Sequence, residues 1–271
     1  MSSISIARVF AAVAALVSTA SAACTRESLL ASAQAYVDAQ KTGNTNALKL
    51  SPTFKYQQNN KERALSAGLI TTPFKLDLVR STADTVACAS YTMWISSSGS
   101  KPYVVGTQIR HDGNDTSTIT LIDTIAATTG DLFFNASKTL GYIRKEDWTP
   151  INNTGSMPSR ELLKKVGDGY LDMWTDPKAA DSIPWGTECE RVEGSQYTNP
   201  CGKSLPHGGS SKPNGMRRTD LVCRYVIDEV QGSVDILCQF DSLGTMPDSH
   251  EIRVVDGKVK YVHTITALKV G

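Results

Sequence analysis

The stretch "DSHEIRVVDGKVKYVHTITAL", residues 248–268, predicts a β-hairpin. One strand is expected at about 250–255 and a second at about 259–268, joined by a tight Asp256-Gly257 turn. Because side chains alternate between the two faces of a strand, one face of the second strand carries Val259, Tyr261, His263, Ile265 and Ala267. Four of these five have largely apolar bodies. We therefore expect this face to be core, with the titratable imidazole of His263 pointing into it.

The hairpin has a counterpart earlier in the chain. "IRHDG" (109–113) matches "IRVVDG" (252–257) with one residue fewer, and "IDTI" (122–125) matches "VHTI" (262–265). The second match places Asp123 at the position of His263. Together with the matches in the preceding segments, which follow in the same order, these two matches indicate an internal duplication.

The segments before the hairpins also correspond. Residues 28–39 and 161–173 have apolar side chains at helical spacing. A short strand candidate follows in each half, at 54–57 and at 190–193, and then an antiparallel meander. The sequence therefore predicts an α+β protein with two tandem domains.

The first 22 residues are typical of a secretory signal peptide. They contain one basic residue, Arg8, an apolar run at 9–17 and the small-residue pattern Ala20-Ser21-Ala22. The apolar run is too short to span a bilayer. Beyond it we expect a first domain at 24–134, a linker at 135–158 and a second domain at 159–271, because the linker segment is rich in proline, glycine and polar residues.

Charge and composition exclude two partner classes. The full chain of 271 residues has 28 basic and 27 acidic side chains, and cleavage of the leader removes Arg8. Without a basic field, neither nucleic acid nor a membrane is an expected partner.

The cysteines and glycosylation motifs also predict a secreted protein. The six cysteines are Cys24, Cys88, Cys189, Cys201, Cys223 and Cys238. An even count in an exported chain favours disulfides, and without a Cys-x-x-Cys pair no metal site is expected. Our pairing hypothesis joins Cys189 to Cys201 and Cys223 to Cys238, which leaves Cys24 for Cys88. The expected glycosylation sites are Asn114, Asn135 and Asn152.

Three motifs of the second half carry a family resemblance. They are "IPWG" (183–186), "CERVEGSQYT" (189–198) and "PDSHEIRVVDGKVKYVHTIT" (247–266), which resemble an uncharacterised family of secreted fungal proteins. The order of elements resembles the nuclear transport factor 2-like cone of SnoaL-type cyclases and ketosteroid isomerase. This resemblance implies two cone-shaped domains, each with N-terminal helices packed on a curved antiparallel sheet around a pocket. It assigns no reaction, because such cones occur in enzymes and binding modules alike.

Asp123 and His263 are the first candidate catalytic residues. A buried ionisable group must be paired, hydrogen-bonded, neutral or beside water. In ketosteroid-isomerase-like enzymes an Asp or His inside the cone moves protons next to a carbonyl, so the resemblance implies a base at Asp123 and at His263. The alternative is a hydrogen-bonded polar group that fixes the sheet against its neighbours.

His250 is the third candidate, as an acid or orienting group. It shares an inward-looking strand face with Ile252 and Val254, although a histidine hydrogen-bonded at a strand end is the alternative. The opposite face, with Glu251 and Arg253, is expected to carry a solvated ion pair.

The expected function is cofactor-free acid–base chemistry on a small organic molecule. Isomerisation, cyclisation, dehydration and coupling are the candidate reactions, and fungal secondary-metabolite biosynthesis is the setting that the resemblance suggests. Trp185, in a loop near a pocket mouth, and Tyr261 are the expected substrate-binding residues. The alternative function is a non-catalytic secreted module that binds a small molecule or a partner.

Overall fold

The computed structural model of the protein describes residues 24–113, 115–206, 208–209 and 223–269. The predicted signal peptide and Asn114 lie outside the described residues. Within them the chain forms two six-stranded mixed sheets, one in each half. The predicted α+β class with two sheet domains is confirmed.

The first half runs from one long helix into the first sheet. Its elements are α1 (Arg26–Thr42), β1 (Leu50–Gln58), β2 (Lys61–Arg63), β3 (Leu78–Asp84), β4 (Ala89–Ser96), β5 (Tyr103–Asp112) and β6 (Asp115–Thr128). The strand order in the sheet is β2-β1-β6-β5-β4-β3. A short helix, α2 (Ala136–Ile143), follows in the segment between the halves.

The second half repeats this arrangement. Its elements are α3 (Arg160–Asp172), β7 (Trp185–Glu193), β8 (Gln196–Thr198), β9 (Cys223–Asp228), β10 (Ser233–Phe240), β11 (Met246–Val255) and β12 (Lys258–Thr266). The strand order is β8-β7-β12-β11-β10-β9, which is the order of the first sheet shifted by six strands. The predicted internal repeat is therefore visible in the strand order.

The prediction of purely antiparallel sheets is wrong at one strand pair in each half. β1 pairs with β6 in parallel, and β7 pairs with β12 in parallel. The other pairs are antiparallel and follow hairpin connections. β1 and β7 come after a helix, so no hairpin turn ties their direction to that of the strand they join.

The hairpin of β11 and β12 forms around Asp256-Gly257, as predicted. Both turn residues have positive φ, 49° and 70°, the values that a two-residue type I′ turn requires. In this hairpin Glu251 lies opposite His263, and in the first half Gln108 lies opposite Asp123. The register thus confirms that Asp123 and His263 are equivalent positions.

Helix α3 shows how the local sequence builds the second core. Ser159 caps its start, since the side chain accepts a hydrogen bond from the Leu162 backbone N–H. Leu163, Val166 and Tyr170 recur at helical spacing and are buried against the second sheet.

Both faces of each sheet are covered. One face packs against the helix of its own half, in two clusters that contain α1 and α3 respectively. The other faces meet each other in a third cluster, which joins Tyr91 and Ile125 of the first half to Leu237 and Ile265 of the second. Apolar residues of α2 complete this shared core. The prediction of a solvated ion pair at Glu251 and Arg253 is wrong for this reason: their strand face is buried between the halves.

Three disulfides join Cys24 to Cys88, Cys189 to Cys201 and Cys223 to Cys238, which is the hypothesised pairing. They are compatible with a secreted protein. Among the described residues, no helix has the length and apolar character needed to cross a membrane.

Candidate functional site

His263 lies between the two halves and is enclosed by charged groups. Its Nε2 is 2.9 Å from Glu146 Oε1, and its Nδ1 is 3.1 Å from Glu251 Oε2. Arg80 of β3 pairs with the same carboxylate of Glu251, and the indole of Trp148 lies beside the imidazole. The ring is 2% exposed and both its nitrogens are engaged.

The protonation of His263 follows from these neighbours. Burial lowers its pKa, but the charge of Glu146 and hydrogen bonds to Glu146 and Glu251 outweigh burial and raise the pKa to about 8. Burial would raise the pKa of Glu251, yet Arg80 and His263 hold it below its usual range. The cluster is therefore an imidazolium flanked by two carboxylates and one guanidinium. A substrate could reach a ring nitrogen only by displacing a carboxylate.

Asp123 has the same kind of environment in the first half. It is fully buried and pairs with Arg224 of β9, which belongs to the second half. Arg224 lies opposite Leu237 in its sheet, as Arg80 lies opposite Met93 in the other. Each half thus sends an arginine from its edge strand to the candidate residue of the other half. These contacts favour a docking role for Asp123 and His263, and a catalytic role for either stays a prediction.

His250 lies on the opposite face of the second sheet. It is opposite Thr264, one residue along from His263, so the two imidazoles point to different sides. Its ring centroid is 5.4 Å from that of Tyr170 on α3 and 5.0 Å from that of Phe240. His250 and His263 therefore share no cavity.

A cavity of about 150 Å³ opens beside His250. Its walls are Leu132, Phe133, Trp174, Glu193, Gly194, Asp248, His250, Thr264 and Thr266. The imidazole is 1% exposed, and within the described part of the chain neither ring nitrogen has a hydrogen-bond partner. A buried polar group without a partner costs free energy, so its retention here points to a ligand or a water as partner.

Asp248 completes a carboxyl–imidazole pair in this cavity. Its Oδ2 is 3.6 Å from His250 Nε2, and its Oδ1 accepts a hydrogen bond from the Thr266 hydroxyl at 3.1 Å. Burial lowers the pKa of His250 to about 3. Burial also raises the pKa of Asp248 well above its ordinary value, against the hydrogen bond from Thr266. At neutral pH the imidazole is thus uncharged and has free nitrogen lone-pair capacity.

The first half keeps no such pair. Thr107 takes the place of His250, because it lies opposite Thr124 as His250 lies opposite Thr264. Its hydroxyl is hydrogen-bonded to Tyr36 at 2.8 Å and to Thr124 at 3.0 Å. Trp94 also donates to Tyr36 at 3.0 Å. The corresponding polar groups satisfy one another, so the candidate site belongs to the second half.

The comparison with known families covers this same half. Residues 156–266 match a domain of unknown function, DUF8021. No curated protein matches the chain. The DUF8021 segment contains His250, Asp248 and His263 and excludes Asp123.

Trp185 and Tyr261, the predicted substrate-binding residues, lie in the DUF8021 segment but away from His250. Both line a surface groove of about 900 Å³ between the starts of β7 and β12. The Trp185 indole donates to the Ala180 carbonyl at 2.9 Å, and the Tyr261 hydroxyl accepts from the Asp147 backbone N–H at 3.1 Å. Their polar tips are therefore already bound within the protein.

Sequence reasoning missed Asp248, although a signal was present. It precedes His250 by two residues in β11, so the two side chains share a strand face. Glu193 and Trp174, also in the DUF8021 segment, reach the cavity only through the packing of β7 and of the residues that follow α3, which no local pattern reveals.

The remaining predictions concern the glycosylation sites and a metal site. Asn135 and Asn152 are exposed, as glycosylation requires. Among the described residues, no cluster of three or more His, Cys, Asp and Glu side chains could hold a metal ion.

Proposed function

We propose that the second half binds a small organic molecule beside His250 and catalyses proton transfer at a carbon next to a carbonyl, without a cofactor. The observation that carries this proposal is the buried, uncharged imidazole of His250, which faces a cavity and has no partner among the described residues. A general base needs free lone-pair capacity within reach of the substrate. His250 meets this requirement, whereas His263 has both nitrogens engaged.

Asp248 has a matching role in the proposed reaction. Because its pKa is raised, its carboxyl group can keep a proton and donate a hydrogen bond to the substrate carbonyl oxygen. His250 then takes the proton from the neighbouring carbon, and the charge that develops on the oxygen is stabilised by Asp248. Returning the proton to another carbon gives isomerisation. Passing it instead to a β-hydroxyl group, which then leaves as water, gives dehydration.

The fold supports this proposal by analogy. Each half has an N-terminal helix and a six-stranded sheet, and in the second half the helix-covered face carries His250 and Asp248. We propose that each half is a nuclear transport factor 2-like cone of the kind found in ketosteroid-isomerase-like and SnoaL-like proteins. Ring closure or dehydration in fungal secondary metabolism is the proposed setting, and the likeness of fold is not itself an assignment of chemistry.

Isomerisation of 3-cyclohexenone to its conjugated isomer is the proposed test reaction. This single-ring ketone suits a cavity of about 150 Å³, a volume that holds benzene in other proteins. The wild-type protein is expected to accelerate the reaction, and His250→Gln to be at least about tenfold slower, because general base catalysis contributes factors of this size or more. Ultraviolet absorbance of the conjugated enone measures the rate.

A matched control is available in the first half. His111 is buried, and its Nδ1 is hydrogen-bonded to the Thr118 carbonyl at 3.0 Å, outside the cavity. His111→Gln is expected to keep the wild-type rate. Equal rates for His250→Gln and the wild type would reject His250 as the base.

Binding without turnover is the second candidate function. The distance of 3.6 Å between His250 and Asp248 is longer than a hydrogen bond, so the pair is not preassembled as a catalytic dyad. In that case a small molecule extracted from the purified protein would be released unaltered. Measurable affinity for 2-cyclohexenone, without any isomerisation of 3-cyclohexenone, would favour this candidate.

A further inference from the structure

The loop that follows β6 belongs to the first half but reaches the cavity of the second. Leu132 and Phe133 are the two cavity-lining residues that the first half supplies. The Phe133 carbonyl accepts a hydrogen bond from the Ser195 backbone N–H at 2.9 Å. The Thr139 hydroxyl, just beyond the loop, donates to the Gly194 carbonyl at 2.6 Å. These bonds anchor the loop against the turn between β7 and β8.

Gly194 lets the loop approach this closely. It has a φ of 59°, and a Cβ there would lie 2.7 Å from the Leu132 carbonyl oxygen and 3.1 Å from the Phe133 Cβ. Any larger residue would clash with the backbone of the first half. The position of the loop over the cavity is therefore fixed by two hydrogen bonds and by a close backbone contact.

Phe133 itself is unusual in two independent respects. Its φ is 49°, in the left-handed region that costs a residue with a side chain free energy relative to glycine. Its side chain is also 55% exposed, so burial does not compensate for that cost. Backbone strain of this kind clusters at active sites and ligand-binding sites.

Phe133 is the most exposed residue of the cavity wall. His250 and Asp248, which line the cavity from β11, are buried to 2% exposure or less. Phe133 lines the cavity and is 55% exposed, so its ring lies where the cavity meets solvent. A ring on this anchored backbone takes up space at the opening and so limits the width of what can pass.

We propose that Phe133 forms the mouth of the His250 cavity and restricts it to uncharged, single-ring molecules. In the first half the corresponding polar groups hydrogen-bond to one another, and this half instead sets the specificity of the second. This inference rests on the proposed function of the cavity and names the class of molecule that it accepts. Widening the mouth should admit two-ring molecules and change little for one-ring molecules.

Equilibrium binding of phenol and 2-naphthol tests the inference without requiring turnover. Both probes are planar and uncharged, and they carry one oxygen that the His250–Asp248 pair can bind. Calorimetric titration of the full-length protein gives both affinities. Wild type should favour phenol, and Phe133→Ala should raise the ratio of 2-naphthol to phenol affinity at least about tenfold, the gain expected when a steric barrier of this size is removed.

Two further variants separate the side chain from the backbone. Phe133→Gly removes the ring and also relieves the left-handed strain, so it should widen selectivity as alanine does while melting at a higher temperature than Phe133→Ala. Val86→Ala shortens another exposed apolar residue, 70% exposed in the turn between β3 and β4, and should leave the affinity ratio unchanged.

The outcomes separate the role of Phe133 from the proposed function of the cavity. An unchanged affinity ratio in Phe133→Ala and Phe133→Gly, with 3-cyclohexenone still isomerised, would overturn the role of Phe133 alone. Failure of all variants to bind either probe would overturn the inference together with the cavity as a binding site. Binding of 2-naphthol only after the ring is removed would support the inference even if no isomerisation occurs.

Discussion

Replacing Asp84 with alanine is expected to lower the free energy of unfolding by about 3–5 kcal/mol, the usual cost of removing one partner from a buried ion pair. The Asp84 carboxylate is fully buried between the halves. From the second half it accepts two hydrogen bonds from the Arg160 guanidinium, at 2.7 and 2.9 Å, and one from the Ile227 backbone N–H at 2.8 Å. Alanine would leave both donors without this partner. Urea denaturation followed by circular dichroism measures the change.

The reason for so large an effect is that Asp84 belongs to a reciprocal pair. Asp228 of the second half accepts from Arg26 and from the Ala83 backbone N–H of the first half. The two aspartates end β3 and β9, and the two arginines begin α3 and α1. Each half therefore holds the helix start of the other. Asp228→Ala should destabilise the protein to a similar extent.

Asp38→Ala is the matched control for both substitutions. Its side chain is 60% exposed on α1, where removal of a carboxylate should change the free energy of unfolding by no more than about 0.5 kcal/mol. If Asp84→Ala were no more destabilising than Asp38→Ala, the reciprocal pairs would not hold the halves together.

The sequence predicts the elements of each half because their signals are local. The Asp-Gly turn requires positive φ, and Ser159 caps a helix whose apolar residues recur at helical spacing. The duplication is also readable from the residues alone, and it places Asp123 and His263 at equivalent positions. These inferences need only neighbours in the chain or a comparison of the chain with itself.

The side of the sheet that each residue faces could not be predicted. Alternation separates core from solvent only when one face of a sheet is wet, and here both faces are buried. The face of His263 looked like the core of its own domain but lies against the other half. The face of Glu251 and Arg253 looked solvated and is buried with it. Docking of the two halves depends on contacts distant in sequence, which no local pattern encodes.

For the same reason, the sequence ranks the two histidines of the candidate site in the wrong order. His263 is a polar residue on an apolar strand face, which makes it the first candidate. In the structure both its ring nitrogens contact carboxylates of the protein itself. His250 seemed secondary, and it is the imidazole that faces a cavity. What separates the two histidines is the set of groups around each ring.

Raising the pH from about 6 to about 9 is expected to lower the free energy of unfolding by about 2 kcal/mol through His263. Its pKa is about 8 in the folded protein and about 6.5 in an unfolded chain, where its partners are lost. Protonation of His263 therefore favours the folded state. This stabilisation is fully present below pH 6.5 and is lost as the pH rises through about 8.

The physical cause is the balance of charge around the ring. With His263 protonated, the carboxylates of Glu146 and Glu251 face an imidazolium and the guanidinium of Arg80. Once the ring loses its proton, Glu251 keeps its ion pair with Arg80, whereas Glu146 keeps the hydrogen bond from the Trp148 indole and loses its cationic partner. Arg253 and Arg80 both lie over the Trp148 ring at the edge of the cluster.

His263→Gln isolates this contribution from other groups that titrate in the same range. Asp235 and Asp248 also have raised pKa values because they are buried, so the wild-type pH profile alone would mix several groups. Burial lowers the pKa of His250 and His111, which keeps both uncharged above pH 6.5. Urea denaturation of both proteins between about pH 6 and about pH 9 should show that the free energy of unfolding falls less for His263→Gln than for the wild type. Parallel profiles would mean that His263 carries no extra proton in the folded state. Glu146 and Glu251 would then contact an uncharged imidazole.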